Sequence, residues 1–176
     1  MQPIDMVDET APAQEPFPVS VLLERRPATV SPWIDHLWSA VGVVVGTVGG
    51  GGAEPRLVHD ADGVQQFLFG GLRVALYADE CESYYHNMMS PLPRCYVIAH
   101  LDEQDCEGRP EPFLVSMSFD EAHAYLEGGD EIYEVDIPPE LYAWTEAFVL
   151  AYYAPERRRK RKLRAWKDEA AGPRPS

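Results

Sequence analysis

A chain of 176 residues, 45% hydrophobic and 25% charged, has the length of one domain and the composition of an ordinary globular one. Its three cysteines, Cys81, Cys95 and Cys106, are an odd number with no Cys-x-x-Cys pair, which argues against a disulfide framework or a zinc ribbon. The net charge of −14 hides a division: residues 155–176 hold nine Lys/Arg against three Asp/Glu, a net of +6, so residues 1–154 stand at −20. So acidic a body repels phosphate backbones and anionic membrane surfaces, and disfavours nucleic acid as a partner.

Isolated thiols fit a reducing cytosol. The acidic opening from Met1 to Thr10 has no apolar run of the kind a secretory signal needs. Arg25-Arg26 ahead of Ala40 to Val48 imitates a twin-arginine signal, but Asp35 and His36 interrupt the gap. The apolar run is also only about half as long as a membrane span. The expectation is a cytoplasmic protein with no membrane span.

In chain order, residues 1–18 carry Pro3, Pro12, Pro16 and Pro18 with no periodicity, as a disordered acidic tail would. A single domain over 19–154 follows. Val19 to Glu24 suits a first strand. Leu37 to Val48, broken by Gly42 and Gly46, suits a buried strand with a bend or a close backbone approach. Gly49 to Gly52 reads as a mobile hairpin loop, because no Gly-Lys-Ser/Thr follows to make a phosphate loop. Arg56 to His59, Val64 to Phe69 and Leu72 to Tyr77 are short strand candidates, and Gly70-Gly71 between the last two is a hairpin signal. Tyr84 to Met89, Cys95 to Leu101, Pro112 to Ser116 and Ile132 to Val135 continue the series.

Two helices interrupt the strands. Ser118-Phe-Asp-Glu121 matches a capping box, with Ala122, Tyr125 and Leu126 as apolar face and Gly128-Gly129 as stop. Pro138-Pro139 opens the second helix, where Leu141, Trp144, Thr145, Phe148 and Tyr152 recur at three- and four-residue spacing and predict an aromatic face on the sheet. The predicted class is α+β: an antiparallel sheet of about seven to nine short strands, a sandwich or partly open barrel, closed by the C-terminal aromatic helix.

The densest polar cluster is Asp79, Glu80, Glu82, Tyr84, His86 and Asn87. Three carboxylates beside a histidine would suit metal binding or acid–base chemistry. In an extended segment Glu80, Glu82, Tyr84 and His86 share one face. A turn followed by a half-exposed strand has the same composition without function, and that structural reading is the stronger. Asp120, His123 and Glu127 share a helix face, better explained as solvated. Trp33 and Trp38 around Ile34-Asp35-His36 would line a ligand pocket, although core and rim packing is the commoner reason for such aromatics. No catalytic residue, metal site or cofactor motif is identified.

The basic segment Arg157, Arg158, Arg159, Lys160, Arg161, Lys162, with Arg164 and Trp166, suits a partner-binding tail. Leu163, Trp166 and Ala170 give it only a narrow apolar line, marginal as an isolated helix. Its best match is another protein with an acidic surface.

Several stretches together resemble a bacterial family, the domain of unknown function 3305. They are Val19-Ser-Val-Leu-Leu-Glu-Arg-Arg26, Pro32-Trp-Ile-Asp-His36 with Trp38, Glu82-Ser-Tyr84 with Asn87, Pro112-Phe-Leu-Val115 with Asp120-Glu-Ala122, and Pro138-Pro-Glu-Leu-Tyr-Ala-Trp144. Members similarly end in a Lys/Arg-rich segment, and their genes often adjoin those of molybdenum-dependent formate dehydrogenases. The resemblance implies an accessory or maturation context and establishes no activity or site. The expected function is a non-catalytic accessory protein. The alternatives are a small metal-dependent or acid–base enzyme centred on residues 79–87, and a nucleic-acid-binding module using the tail.

Overall fold

The computed structural model describes residue 12 and residues 14–47, 54–101 and 108–153. Gly49 to Gly52, Cys106 and the tail cations from Arg157 onward lie outside the described residues.

Strand β1 (Phe17–Pro27) opens two residues ahead of its expected start and buries Val19, Val21 and Leu23 completely. These alternate side chains enter one core at the strand's period of two. Each such burial contributes about 1.5–3 kcal/mol relative to exposure. Ser20 and Glu24, between and beside them, are buried on the other face with hydrogen bonds, Ser20 to the Gly46 carbonyl at 3.1 Å and Glu24 from Gln66 at 2.7 Å. β2 (His36–Val45) and β4 (Val64–Val74) flank β1 antiparallel, and β3 (Arg56–Ala61) adds to β4, giving the order β2-β1-β4-β3. At Gly42 the pairing slips, since Leu22 faces Gly42 while Leu23 faces Ala40, leaving Val41 as the extra residue of a bulge. The predicted bend is present. A close approach is not, because a Cβ on Gly42 meets nothing within 4 Å.

The glycine pair at 70–71 is not a hairpin. β4 runs straight through it, and Val19 pairs Leu72 while Val21 pairs Phe69, so both glycines stand opposite Ser20 as a bulge. Gly71, at φ 78°, takes the positive angle that such a bulge favours. The hairpin turn is Asp62-Gly63, with φ of 54° and 79°. Two consecutive positive φ values make a primed turn, whose twist matches the strands. The residues expected as a strand up to Tyr77 leave the sheet after Val74.

The second sheet has β5 (Cys95–Leu101) between β6 (Pro110–Ser116) and β7 (Glu131–Val135), again all antiparallel. Cys95 to Ala99 are buried without alternation. The cause is cover on both faces: Cys95 and Val97 join the core shared with the first sheet, while Tyr96 and Ile98 pack with Ala122 of α2 (Phe119–Glu127). Among the described residues the class is α+β, with two antiparallel sheets, three α-helices and no closed barrel.

Residues 84–89 are helix and not strand. α1 (Cys81–Met89) buries Cys81, Tyr84 and Met88, whose spacing of three and four is that of one helix face. α3 (Pro139–Tyr152) starts with proline where the first amide needs no partner. It buries Leu141, Thr145, Phe148 and Val149 and lies against α1. Trp144 is only half-buried, its ring 5.1 Å from Phe17, and Tyr152 is half exposed. The core face is thus rotated from the predicted one, with Phe148 and not Trp144 at its centre. Among the described residues no helix is long and apolar enough to cross a membrane.

Candidate functional site

The polar cluster at 79–87 is divided by the helix. Asp79 and Glu80 belong to the 3₁₀ turn Ala78–Glu80; Glu82, Tyr84, His86 and Asn87 belong to α1. Glu82 and His86, one turn apart, meet at 3.5 Å on the solvent side. Tyr84 is fully buried: its hydroxyl accepts the Tyr77 N–H at 3.1 Å and its ring meets Phe148 edge-on at 6.2 Å. Burial pushes that phenol far above its ordinary value. Asn87 donates to the carbonyls of Arg94 at 2.7 Å and Met117 at 2.9 Å, and accepts the Arg94 N–H at 3.0 Å. It ties α1 to the start of β5 and the end of β6. Both Tyr84 and Asn87 are thus turned into the fold and away from solvent.

Asp79 and Glu80 instead face Asp120 and Glu121, with Tyr77 and Tyr125, around an open concavity of about 540 Å³. Behind it the predicted capping box is rewired. Ser118 Oγ accepts the Glu121 N–H at 3.1 Å as expected, but the Ser118 N–H goes to Ser116 Oγ at 3.0 Å, and the Ser116 hydroxyl donates to the Glu121 carboxylate. A third serine joins this set. Ser118 Oγ lies 3.0 Å from Glu80 Oε2 and 2.9 Å from Ser83 Oγ. Having one proton, it donates to Glu80 and accepts from Ser83.

Burial holds Glu121 above the usual carboxylate range, and neighbouring Glu80 adds to the effect, while the Ser116 hydrogen bond opposes them. A carboxyl raised in the folded state stabilises the fold when protonated. That contribution is complete below the ordinary glutamate value and is lost as pH rises through the raised one. Glu121→Gln keeps an acceptor for Ser116 and removes the charge. It is expected to melt above the parent at pH 7 and level with it below about pH 4; an equal offset at both pH values would show that charge is not the cause.

Among the described residues no three His, Cys, Asp or Glu side chains converge to hold a metal, so Glu80, Glu82 and His86 do not form such a set. Asp120, His123 and Glu127 are exposed, and His123 stacks on Phe119 at 5.4 Å. Cys81 and Cys95 are free and buried; desolvation raises both thiols, that of Cys95 to about 12.

The larger concavity, about 580 Å³, lies at the rim where the two sheets meet. Trp33 to Trp38 form one wall, and Pro110, Glu131 and Tyr133 belong to the facing one. The β1–β2 loop closes by Ala28 N–H to Asp35 C=O at 3.0 Å, with Ile34 N–H to Ser31 C=O at 3.5 Å inside it. That turn puts Trp33 at its tip, 91% exposed. Trp38, half-buried, packs at 5.6 Å on Phe67 with the Arg25 guanidinium carbon 6.0 Å above its ring, and its buried Nε1–H has no acceptor among the described residues. Burial, with Glu131 adding, pushes the Tyr133 phenol up to about 12, so it stays neutral at physiological pH. Trp33 stands clear of the core, whereas Trp38 packs partly buried against it; both line this pocket. Glu131 and Tyr133 carry no local signal of a site, because only the packing of β7 beside β2 brings them to residues about a hundred positions earlier.

The wall from Trp33 to Trp38, the Glu82 to Asn87 helix and the opening of α3 are segments that carried the resemblance, and all three fall within one matched span. The family model described as Protein of unknown function (DUF3305) matches residues 18–162. The chain belongs to that family. Neither a curated protein nor a solved structure matches it. The match covers every described strand and helix of this DUF3305 chain except the first residue of β1.

Proposed function

We propose that this DUF3305 chain is a non-catalytic accessory protein that works by binding another protein. The observation that carries this reading is the rim patch. Trp33 is 91% and Val30 89% exposed, and Ile34 and Leu37 are about half exposed beside them. Contiguous apolar surface of this kind marks interaction sites, and tryptophan is prominent among residues that dominate binding. The resemblance supplies the context: maturation or assembly of a molybdenum-dependent formate dehydrogenase in a bacterial cytoplasm. The tail from Arg157 to Trp166 gives a second contact to an acidic surface of the same partner. An acid–base enzyme centred on Glu80, Glu82 and His86 draws no support from a helix that leaves Glu82 and His86 in solvent while Ser118 bonds Glu80.

The test is affinity capture from the native host with tagged full-length protein and its Trp33→Ala variant. Capture of a formate dehydrogenase subunit or one of its maturation proteins is expected, falling by about 10-fold or more in the variant, as for a dominant interface tryptophan. Because Trp33 touches little of the fold, the melting temperature is expected to stay unchanged. Equal capture by both proteins would refute the rim as the binding element.

A further inference from the structure

We propose that the rim pocket takes a basic segment of the partner, seating an arginine or lysine side chain between the carboxylates of Asp35 and Glu131 and the rings of Trp33 and Tyr133. This rests on the reading of the rim as a protein-binding surface and names the chemistry of what binds. Three features of the pocket converge on a cation. Its lining has two carboxylates, Asp35 and Glu131, and no lysine or arginine among the described residues. The arginines beside this lining are Arg25 and Arg26, opposite Trp38 and Leu37 in the strand register, and Arg109, next to Pro110. They are engaged elsewhere: Arg25 with Gln65 and over the Trp38 ring, Arg26 with Glu24, Arg109 with Glu111 at 3.2 Å. The lining also holds the aromatic rings of Trp33 and Tyr133, a residue type that attracts a cation through the negative potential above the ring and receives the aliphatic stem of lysine or arginine. A tryptophan left at a loop tip offers the most of that surface.

The rest of the molecule acts in the same direction at longer range. Residues 1–154 stand at −20, so a basic segment is drawn toward the body and an anionic ligand is repelled before it reaches the rim. Phosphate groups, nucleic acid and acidic peptides are thereby disfavoured at this pocket. An uncharged apolar peptide gains the ring contacts but leaves Asp35 and Glu131 without a counter-ion in a partly enclosed site. The chemistry separates the two surfaces of the chain, with the basic tail suited to an acidic patch and the rim to a basic one.

The experiment uses full-length protein and a fluorescein-labelled nonapeptide in which arginines alternate with serines, beside the same peptide with citrulline, the uncharged near-isostere, at each arginine. Fluorescence anisotropy is expected to show binding of the arginine peptide, with the citrulline peptide about 10-fold weaker. Glu131→Gln and Trp33→Ala are each expected to weaken binding about 5–10-fold, the range of one partly desolvated cation contact. Glu82→Gln, a carboxylate removed on another face, is expected to change it less than 2-fold. Trp33→Ala, at an exposed tip, keeps the test open if Glu131→Gln fails to fold. Equal binding of the two peptides, or equal weakening by Glu82→Gln, would overturn the proposal. So would binding at least about 10-fold tighter in a full-length variant whose cations from Arg157 to Lys162 are all serine, because the chain's own tail would then be the occupant. Peptide binding without partner capture refutes the accessory role alone; partner capture that depends on Trp33 but ignores peptide charge refutes the basic segment alone.

Discussion

Asn87→Ala is expected to lower stability by about 3–5 kcal/mol. The estimate follows from what the side chain holds. Its amide donates to the carbonyls of Arg94 and Met117, and its oxygen accepts the Arg94 N–H, on a residue only 7% exposed. Truncation strands three backbone groups where little water reaches, and each unsatisfied buried group costs about 1–3 kcal/mol. Urea unfolding is the measurement, with a lower midpoint and unchanged slope expected. Glu82→Ala, five residues earlier on the exposed face of the same helix, is expected to shift the midpoint by less than about 0.5 kcal/mol. A midpoint for Asn87→Ala equal to the parent's would mean that the side chain is free for another role, and the 79–87 cluster would regain its standing as a site.

Phe148→Ala carries the second large effect, a loss of about 3–5 kcal/mol. Phe148 is 2% exposed, its ring 6.2 Å from Tyr84 and 4.5 Å from Tyr152, so truncation opens a void between α3 and α1 in the shared core. Trp144→Ala one turn earlier removes a larger ring but a half-buried one, packed chiefly on Phe17. It is expected to cost about half as much. Thermal unfolding of the two variants side by side decides the matter. Trp144→Ala as the more damaging change would restore the helix face that spacing alone predicts, and would contradict the rotation of α3 seen here.

The strands were legible where the apolar pattern was clean, whether alternating or continuous. Val19, Val21 and Leu23 announce one buried face, and Cys95 to Ala99 announce a strand covered on both. The errors have local causes. Gly70-Gly71 has the composition of a turn, but glycine also serves a bulge, and only the pairing of Ser20 against both residues tells them apart. Asp62-Gly63, the real hairpin turn, lies between the strand candidates Arg56 to His59 and Val64 to Phe69 and is itself an Asp-Gly turn signal. At 81–89 the polar letters masked a three-and-four spacing of Cys81, Tyr84 and Met88 that reads as helix once Asn87 is allowed a buried, fully bonded position. Within α3, Val149 and Thr145 complete the buried face, and Thr145 is admitted to the core because its hydroxyl donates to the Leu141 carbonyl at 2.9 Å.

The candidate site was half legible. Trp33, Asp35, His36 and Trp38 stand together in sequence and line one wall of the rim pocket as a pocket reading of them required. The other wall was invisible, because Glu131 and Tyr133 look like any residues of a short amphipathic strand until β7 is placed beside β2. The serine set behind Glu80 and Glu121 has the same character. Ser118 announced itself as a helix cap, but Ser83 and Ser116 join it only through the fold.

The most direct measurement is site-specific photo-crosslinking in the native host, with Trp33 replaced by p-benzoylphenylalanine in the full-length chain and Phe119, also exposed but not part of the rim-pocket lining, as the control position. An adduct from position 33 to a formate dehydrogenase subunit or one of its maturation proteins is expected, and none to that polypeptide from position 119. No adduct at position 33, or the same adduct from both positions, would contradict the reading of the rim as a protein-binding surface.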